Sequence, residues 1–418
     1  MTRAPSTNIL LISAYFPPEV GSASHLFYDL GRELAKRGYH VTVLTGYPSY
    51  HVDRTQLPDR YGNGLWMTEQ MDGMRLIRVR MPRMPRNIPV LRGLEQVAMS
   101  LAFSFAGFAK VPHRPDVILI YSPPLFLGLT GLIVRLFRKS RVFLNVQDLF
   151  PQSAIDLGIL QNRVLITFFR KMESFLYRRV DIVTVHSPGN RDHVVASGGD
   201  PGRTIVVHNP VDTAGIVPGP RENEFRANHR IPPEQFVVSF AGVLGYSQDL
   251  DTVIDAAALL RDNHQVMFYI VGDGVEKSRL LQKAGDAPNV KFLPMLPKAE
   301  YASLLRASDV CLATLRPEVK TPVVPSKILS VMASARPLVA GLPLEGDAPA
   351  IIREGDCGLC IGPEDPKGLA GAIKFLYDHP ARATELGVHG RRYVEQHFAL
   401  TGIVDLYERL ILAKEGVA

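Results

Sequence analysis

Two widely separated stretches of this chain follow one pattern: an apolar strand, a glycine-bearing loop, a helix with apolar residues at three- and four-residue spacing, then another strand. In the first, Asn8 to Ser13 precedes a loop, and Leu26, Phe27, Leu30, Leu34 and Ala35 recur at helical spacing until Gly38. The strand His40-Val-Thr-Val-Leu44 follows at once. A helix set between two strands is a crossover, so the strands pair in parallel and the unit is βαβ. Further strands are expected at Arg75–Arg80, Val117–Tyr121, Val142–Val146 and Ile182–Val185, giving a doubly wound α/β domain over roughly the first 205 residues. The pattern restarts at Phe236–Ala241 with the loop Gly242-Val-Leu-Gly245 and a helix from Leu250. Strands at Val266–Val271, Val290–Leu293, Val310–Ala313 and Pro337–Ala340 complete a second such domain. No residue-level repeat links the halves, so the likeness is architectural. A chain of 418 residues suits two domains. The Pro-rich stretch Asn209 to Pro220 is the expected hinge, and an amphipathic helix at Leu400–Leu412 ends the chain with no strand after it.

Open parallel sheets bind ligands at the carboxyl ends of their strands, so two facing domains of this type would form a cleft there. The loops that matter are then Glu19, Gly21 and Ser22, Asp148, and on the facing wall Gly242 to Gln248, Gly272-Asp-Gly274 and Thr321 to Lys327. His186, in Thr184-Val-His-Ser-Pro-Gly189, is a further cleft candidate, with a capping or core role as the alternative. Gly242 and Gly245 would let backbone N–H groups approach phosphate oxygens beside a helix N-terminus, although glycines of this kind also serve turns alone. Neither GxGxxG nor a Walker loop is present. In Thr321-Pro-Val-Val-Pro-Ser-Lys327, Pro325 suits a helix start, Ser326 is a donor or cap, and Lys327 would set an ammonium beside first-turn N–H groups. Such a site would stabilise a departing diphosphate without a metal.

Charge is unevenly placed. The net charge is +6, and from Arg75 to Arg92 there are six arginines (Arg75, Arg78, Arg80, Arg83, Arg86 and Arg92) and no acid. The apolar run Val97 to Ala109 follows, and a second, from Ile118, ends at Arg135, Arg138, Lys139 and Arg141. Both are shorter or more interrupted than a bilayer span of about 20 apolar residues. Basic residues beside bulky apolar ones suit an anionic membrane surface; buried helices with solvated arginines are the other reading. Only three cysteines occur, which points to a reducing compartment, and no secretory signal is evident. Cys357-Gly-Leu-Cys360 has no second pair or nearby histidine, so no metal or redox centre is expected. Nucleic-acid binding would need a broader basic face with interleaved aromatics.

An ordered set of motifs spans nearly the whole chain: Tyr15-Phe-Pro-Pro-Glu-Val-Gly-Ser22, Leu34-Ala-Lys-Arg-Gly-Tyr-His-Val-Thr-Val-Leu-Thr45, Gln147-Asp-Leu-Phe-Pro151, His208-Asn-Pro-Val-Asp212, Val271-Gly-Asp-Gly274 and Pro325-Ser-Lys327. In this order they resemble the family 4 glycosyltransferases, and within them the WbuB and colanic-acid transferase-like subgroup of bacterial surface-polysaccharide synthesis. The resemblance implies the GT-B fold. It places an acceptor domain at 1–205, completed by a returning helix at 397–418, and a nucleotide-sugar domain at 206–396. It further implies metal-independent transfer with retention, no cofactor, a UDP-linked N-acetylated hexosamine or deoxyhexosamine as donor, and a polyprenyl-diphosphate-linked saccharide as acceptor. A cytoplasmic enzyme peripheral on the inner face of the cell membrane is expected.

Three departures from the family pattern bear on the site. Its paired glutamates would fall at Pro322 and Ser330, leaving Glu318 as a replacement for the first. Val243 and Gln248 stand where many members carry phosphate-binding Arg and Lys, which shifts that role to Lys327. Gln147 precedes Asp148 where many have His. The resemblance therefore implies catalytic roles for Asp148, Glu318 and Lys327, and donor contacts from Gly242, Gly245, Gln248, Gly272, Gly274, Pro325, Ser326, Lys327 and Ser330. Arg78, Arg80, Arg83 and Arg86 would face the membrane. A GT-B nucleotide-sugar epimerase and an inactive membrane-associated binding subunit are the alternatives.

Overall fold

The computed structural model of the protein describes residues 7–19, 22–49, 61, 64–81 and 89–413. The chain divides into two compact units, one of Met1–Ile155, Leu160–Asn209 and Leu400–Ala418, the other of Asp156–Ile159 and Pro210–Ala399. The first unit runs β1 (Asn8–Ile12), α1 (Ser22–Lys36), β2 (His40–Gly46), β3 (Trp66–Met71), β4 (Met74–Val79), α2 (Pro89–Ala109), β5 (Val117–Ser122), α3 (Phe126–Arg138), β6 (Arg141–Val146), α4 (Gln152–Asp156), α5 (Arg163–Arg179), β7 (Ile182–Val185), α6 (Pro188–Ala196) and β8 (Thr204–Val206). The second continues with α7 (Glu224–Asn228), β9 (Phe236–Ala241), α8 (Leu250–Leu259), β10 (Val266–Val271), α9 (Lys277–Ala284), β11 (Val290–Leu293), α10 (Lys298–Ala307), β12 (Val310–Thr314), α11 (Ser326–Ala333), β13 (Leu338–Gly341), α12 (Asp347–Glu354), β14 (Gly358–Ile361), α13 (Pro366–Asp378) and α14 (Pro380–His397). The last helix, α15 (Leu400–Leu412), belongs to the first unit.

The first sheet has the order β3-β4-β2-β1-β5-β6-β7-β8, parallel except for β3, which pairs antiparallel with β4. Its central strands are mostly apolar, as strands covered on both faces tend to be. Along β1, Leu10 and Ile12 join a core shared with α2, α3 and α5, while Ile9 and Leu11 join a core shared with α1 and α15. Leu400, Ile403, Val404, Tyr407, Leu410 and Ile411 are the face by which α15 enters that second core. Arg37 of the α1 end bonds Glu408 and Asp405 of α15. The second sheet has the order β11-β10-β9-β12-β13-β14 and is wholly parallel. In it β9 and β12 are neighbours although a crossover separates them in sequence, so the order reverses between them. The loops after β9 and β12 therefore flank the topological switch point, where a ligand of such a sheet is bound.

Local chemistry sets the helix starts. Asn162 accepts from the N–H groups of Val164 and Leu165 ahead of α5, and Asp365 does the same for Gly368 with Pro366 at the first helical position of α13. Helix α1 ends at Gly38, whose φ of +92° only glycine adopts without strain.

Candidate active site

The glycine loops of the second unit close on one another. Gly242, Gly272 and Gly274 have φ of +152°, +153° and +155°. A Cβ on Gly272 would stand 1.9 Å from the Gly242 carbonyl oxygen, so the two strand ends approach backbone to backbone. The Gly242 N–H donates to the Val271 carbonyl (3.0 Å) and the Leu244 N–H to Asp273 (2.9 Å), which zips the loop after β9 to the loop after β10. Gly245 is different, since its φ is not positive and a Cβ there would meet only ordinary contact with Val243.

Lys327, on the first turn of α11, reaches into this junction. Its Nζ donates to Gln248 Oε1 at 2.8 Å and stands 3.6 Å from the centroid of the Phe240 ring. A Cβ on Gly242 would come within 3.2 Å of the same Nζ, so glycine there leaves room for the amine. No acidic side chain pairs with it among the described residues. Desolvation dominates and lowers the amine to about 7, although the Gln248 oxygen and the ring face both favour the charged form. The residue as a whole is only half-buried; the amino end is the enclosed part.

Behind the loop lies a network that sequence reading missed. Asp251, in the first turn of α8, accepts both arms of Arg279 (2.8 and 2.7 Å) and Nη2 of Arg316 (3.1 Å). The Arg279 bonds first, and Lys283 3.3 Å away, hold its carboxyl down to about 2 against desolvation. Arg316 also gives its backbone N–H to the Ser247 carbonyl at 3.0 Å, tying the loop after β12 to the loop after β9. These partners are far apart in the chain, so no local motif marks them. Phe240 was detectable in principle, since it lies two residues before Gly242 on a buried strand.

Other expected donor residues stand nearby in sequence with lesser roles visible. Ser326 is exposed and makes no capping bond; Pro325 holds the N-cap position, so the cap alternative for Ser326 is corrected. The Ile328 N–H returns to the Pro325 carbonyl at 3.0 Å, and the remaining first-turn N–H groups point out of the helix start. Ser330 Oγ bonds back to the Ser326 carbonyl (3.4 Å), and Glu318 is exposed in the loop before α11. No three His, Cys, Asp or Glu side chains gather as a metal site among the described residues. Burial raises the thiols of Cys357 and Cys360 to about 12 and about 11, so neither is a ready thiolate.

In the first unit, Asp148 follows β6. Solvent reaches its carboxyl, yet surrounding protein desolvates it and raises its pKa, against lowering bonds from Ser153 and the Leu149 N–H. Its neighbour Gln147 is fixed in an amide chain, donating to Asn145 (2.8 Å) and accepting from Asn209 (2.7 Å). Asn145 in turn donates to Thr184 and to Tyr407 of α15, both at 3.0 Å.

Three expectations for the first unit are corrected. Glu19 is 2 % exposed and its carboxylate accepts from the backbone N–H groups of Phe16 (3.2 Å) and Ser49 (2.8 Å), so it shapes the loop after β1 and does not face an acceptor. His186 is 5 % exposed, with Nε2 2.6 Å from the Asn190 side-chain amide, and is an interior residue at the end of β7. Arg78 is wholly buried, bonded to Glu69 and the Pro17 carbonyl beneath the Tyr61 ring, and cannot touch a membrane. Arg80 is exposed and lies over the Tyr47 ring. Gly21, Arg83 and Arg86 lie outside the described residues; Ser22 begins α1.

Two doubly wound units, the second with a glycine junction and a lysine amine without a carboxylate partner among the described residues at its switch point, have the architecture of the GT-B fold. The glycosyl transferase 4-like domain matches residues 21–210 and the glycosyl transferases group 1 domain matches residues 235–379. The chain belongs to the family 4 glycosyltransferases. It is 27 % identical to the probable glycosyltransferase WbjE of Pseudomonas aeruginosa, over 76 % of this chain and 79 % of that protein. It is 22 % identical to the putative colanic acid biosynthesis glycosyl transferase WcaI of Escherichia coli K12, over 95 % and 98 %. Among solved structures, Anabaena HepE in complex with UDP-glucose superimposes with a TM-score of 0.70 at 17 % identity, covering 97 % of this chain and 99 % of that one.

Proposed function

We propose that this protein is a retaining, metal-independent transferase of surface-polysaccharide assembly. Its donor is a UDP-linked N-acetylated hexosamine or deoxyhexosamine, and its acceptor a polyprenyl-diphosphate-linked saccharide met at the inner face of the cell membrane. The observation that carries the donor side is the enclosed Lys327 amine beside Gly242 at the start of α11, with no carboxylate among the described residues to neutralise it. The diphosphate of a nucleotide-sugar supplies the missing counter-charge, and the ammonium with the first-turn N–H groups meets the charge that grows on the leaving diphosphate. A metal is not required for that role. The UDP-glucose bound by Anabaena HepE and the colanic-acid role in WcaI's name support the donor class and the pathway type.

In this reading the acceptor oxygen attacks from the face the diphosphate leaves, and that diphosphate assists removal of the acceptor proton, so no separate protein base is needed. Glu318 bonds donor-sugar hydroxyls and Asp148 positions the acceptor. The test is to incubate the pure protein with UDP-, GDP- and dTDP-sugars, with and without polyprenyl-diphosphate-linked saccharide. Product formed from one UDP-sugar only when lipid acceptor is present is the expected result. Sugar isomer without acceptor makes it an epimerase; donor binding with no product makes it a binding subunit; either overturns the proposal.

A further inference from the structure

Of the arginines that sequence charge pointed to, Arg78 is buried and Arg83 and Arg86 lie outside the described residues, but the apolar run that follows them forms a surface the fold does define. Along α2, Leu94, Val97, Leu101, Phe105 and Phe108 are 52, 37, 63, 59 and 54 % exposed. Their spacing of three, four, four and three residues places them on one side of the helix, while Met99, Phe103 and Ala106 on the other side enter the core. Helix α3 adds Leu136 and Phe137, 77 and 63 % exposed, and Phe137 packs edge-on against Phe108 at 5.2 Å. Helix α5 adds Val164, Phe168 and Phe175, 76, 50 and 45 % exposed. All three helices cover the same face of the first sheet, where their buried sides share one core. Single exposed apolar residues are ordinary on soluble proteins, but a band across three adjacent helices is not.

The rim of the band is mainly positive. Helix α5 carries Arg163, Arg170, Lys171, Arg178 and Arg179, all exposed, and its single acid, Glu173, is buried against the Tyr177 hydroxyl. Arg138 and Lys139 end α3. Several of these cations lie beside the exposed rings, with Arg138 over Phe108 and Arg179 over Phe175. An apolar band with long cationic side chains at its edge matches the interface of an anionic bilayer, where rings enter the acyl boundary and the cations stay at headgroup level. A second copy of this chain fits poorly, because a two-fold contact through this face would set positive rim against positive rim.

We propose that the exposed sides of α2, α3 and α5 are the surface by which the first domain lies on an anionic lipid bilayer. The inference deepens the lipid-acceptor reading and can be tested without it. The full chain is sedimented with vesicles of phosphatidylcholine alone and of phosphatidylcholine with phosphatidylglycerol, at low and high salt. Binding should require phosphatidylglycerol and weaken as salt rises. Leu101→Ser with Phe105→Ser should abolish it, and Arg170→Gln with Lys171→Gln should lower it, by about fivefold for each charge removed. Arg80→Gln should leave it unchanged. Thermal melting of every variant separates loss of the surface from loss of the fold. Absent vesicle binding, binding that ignores these substitutions, or a dimer in sedimentation equilibrium that the serine variant disperses would each overturn the inference. Transfer to polyprenyl acceptor in detergent reports separately on the catalytic reading, so either can fail while the other stands.

Discussion

At the scale of single residues, Lys327 carries the sharpest prediction. Its amine is lowered to about 7 by burial, so it is charged below that pH and loses its proton as pH rises through it. A diphosphate needs the charged form. The value of kcat/KM should therefore fall from pH 6 towards pH 9, and Lys327→Arg should flatten that limb, because a guanidinium stays protonated. Lys327→Ala should cost turnover about 10²-fold or more, the order seen when one preorganised donor is removed. Gly272→Ala tests the junction beneath it: a Cβ 1.9 Å from a carbonyl oxygen forces the two loops apart. A lower melting temperature together with lost UDP binding is the expected pair of changes, and an unaltered melt would remove the steric argument. The glycines were legible in sequence because each punctuates a strand-to-helix turn, and Lys327 was legible from its place behind Pro325. The Gln248 contact was not, since 79 positions separate it from Lys327 and only the folding of the sheet joins them.

At the scale of elements, the parallel strands were readable because burial on both faces writes them as apolar runs, as in Val117–Tyr121. The edge strand β3 was not expected, because Trp-Met-Thr-Glu-Gln-Met carries neither an apolar run nor strict alternation. That omission explains the error over Arg78. Register sets Met67 opposite Arg78, and Glu69 one diagonal step away, so a charged residue of β4 is buried by a partner strand that leaves no local signal. Helix α15 was readable from its amphipathic pattern, and its weight can be measured. Leu410 is 2 % exposed in the core of the first domain, and Leu410→Ala should cost about 2–5 kcal/mol in urea unfolding of that domain. Tyr407→Phe, which removes the hydroxyl bonded to Asn145, should cost about 1 kcal/mol by the same measurement.

At the scale of the whole molecule, the first domain is built from segments on either side of residues 210–399, which are inserted before α15. During synthesis the inserted domain is therefore complete while the first still lacks Val404, Tyr407 and Leu410, all essentially buried in its core. At about 5–20 residues per second the ribosome needs on the order of 10–40 s to cross that insertion. Chains ending at Ala399 should keep a protease-resistant second domain and lose the first to limited proteolysis; survival of the first domain would contradict this. The α15 arrangement thus works as a timing device. The first domain, which bears the apolar band of α2, α3 and α5, cannot finish folding until α15 has been synthesised, and through that interval its unfinished core is a substrate for chaperones and proteases.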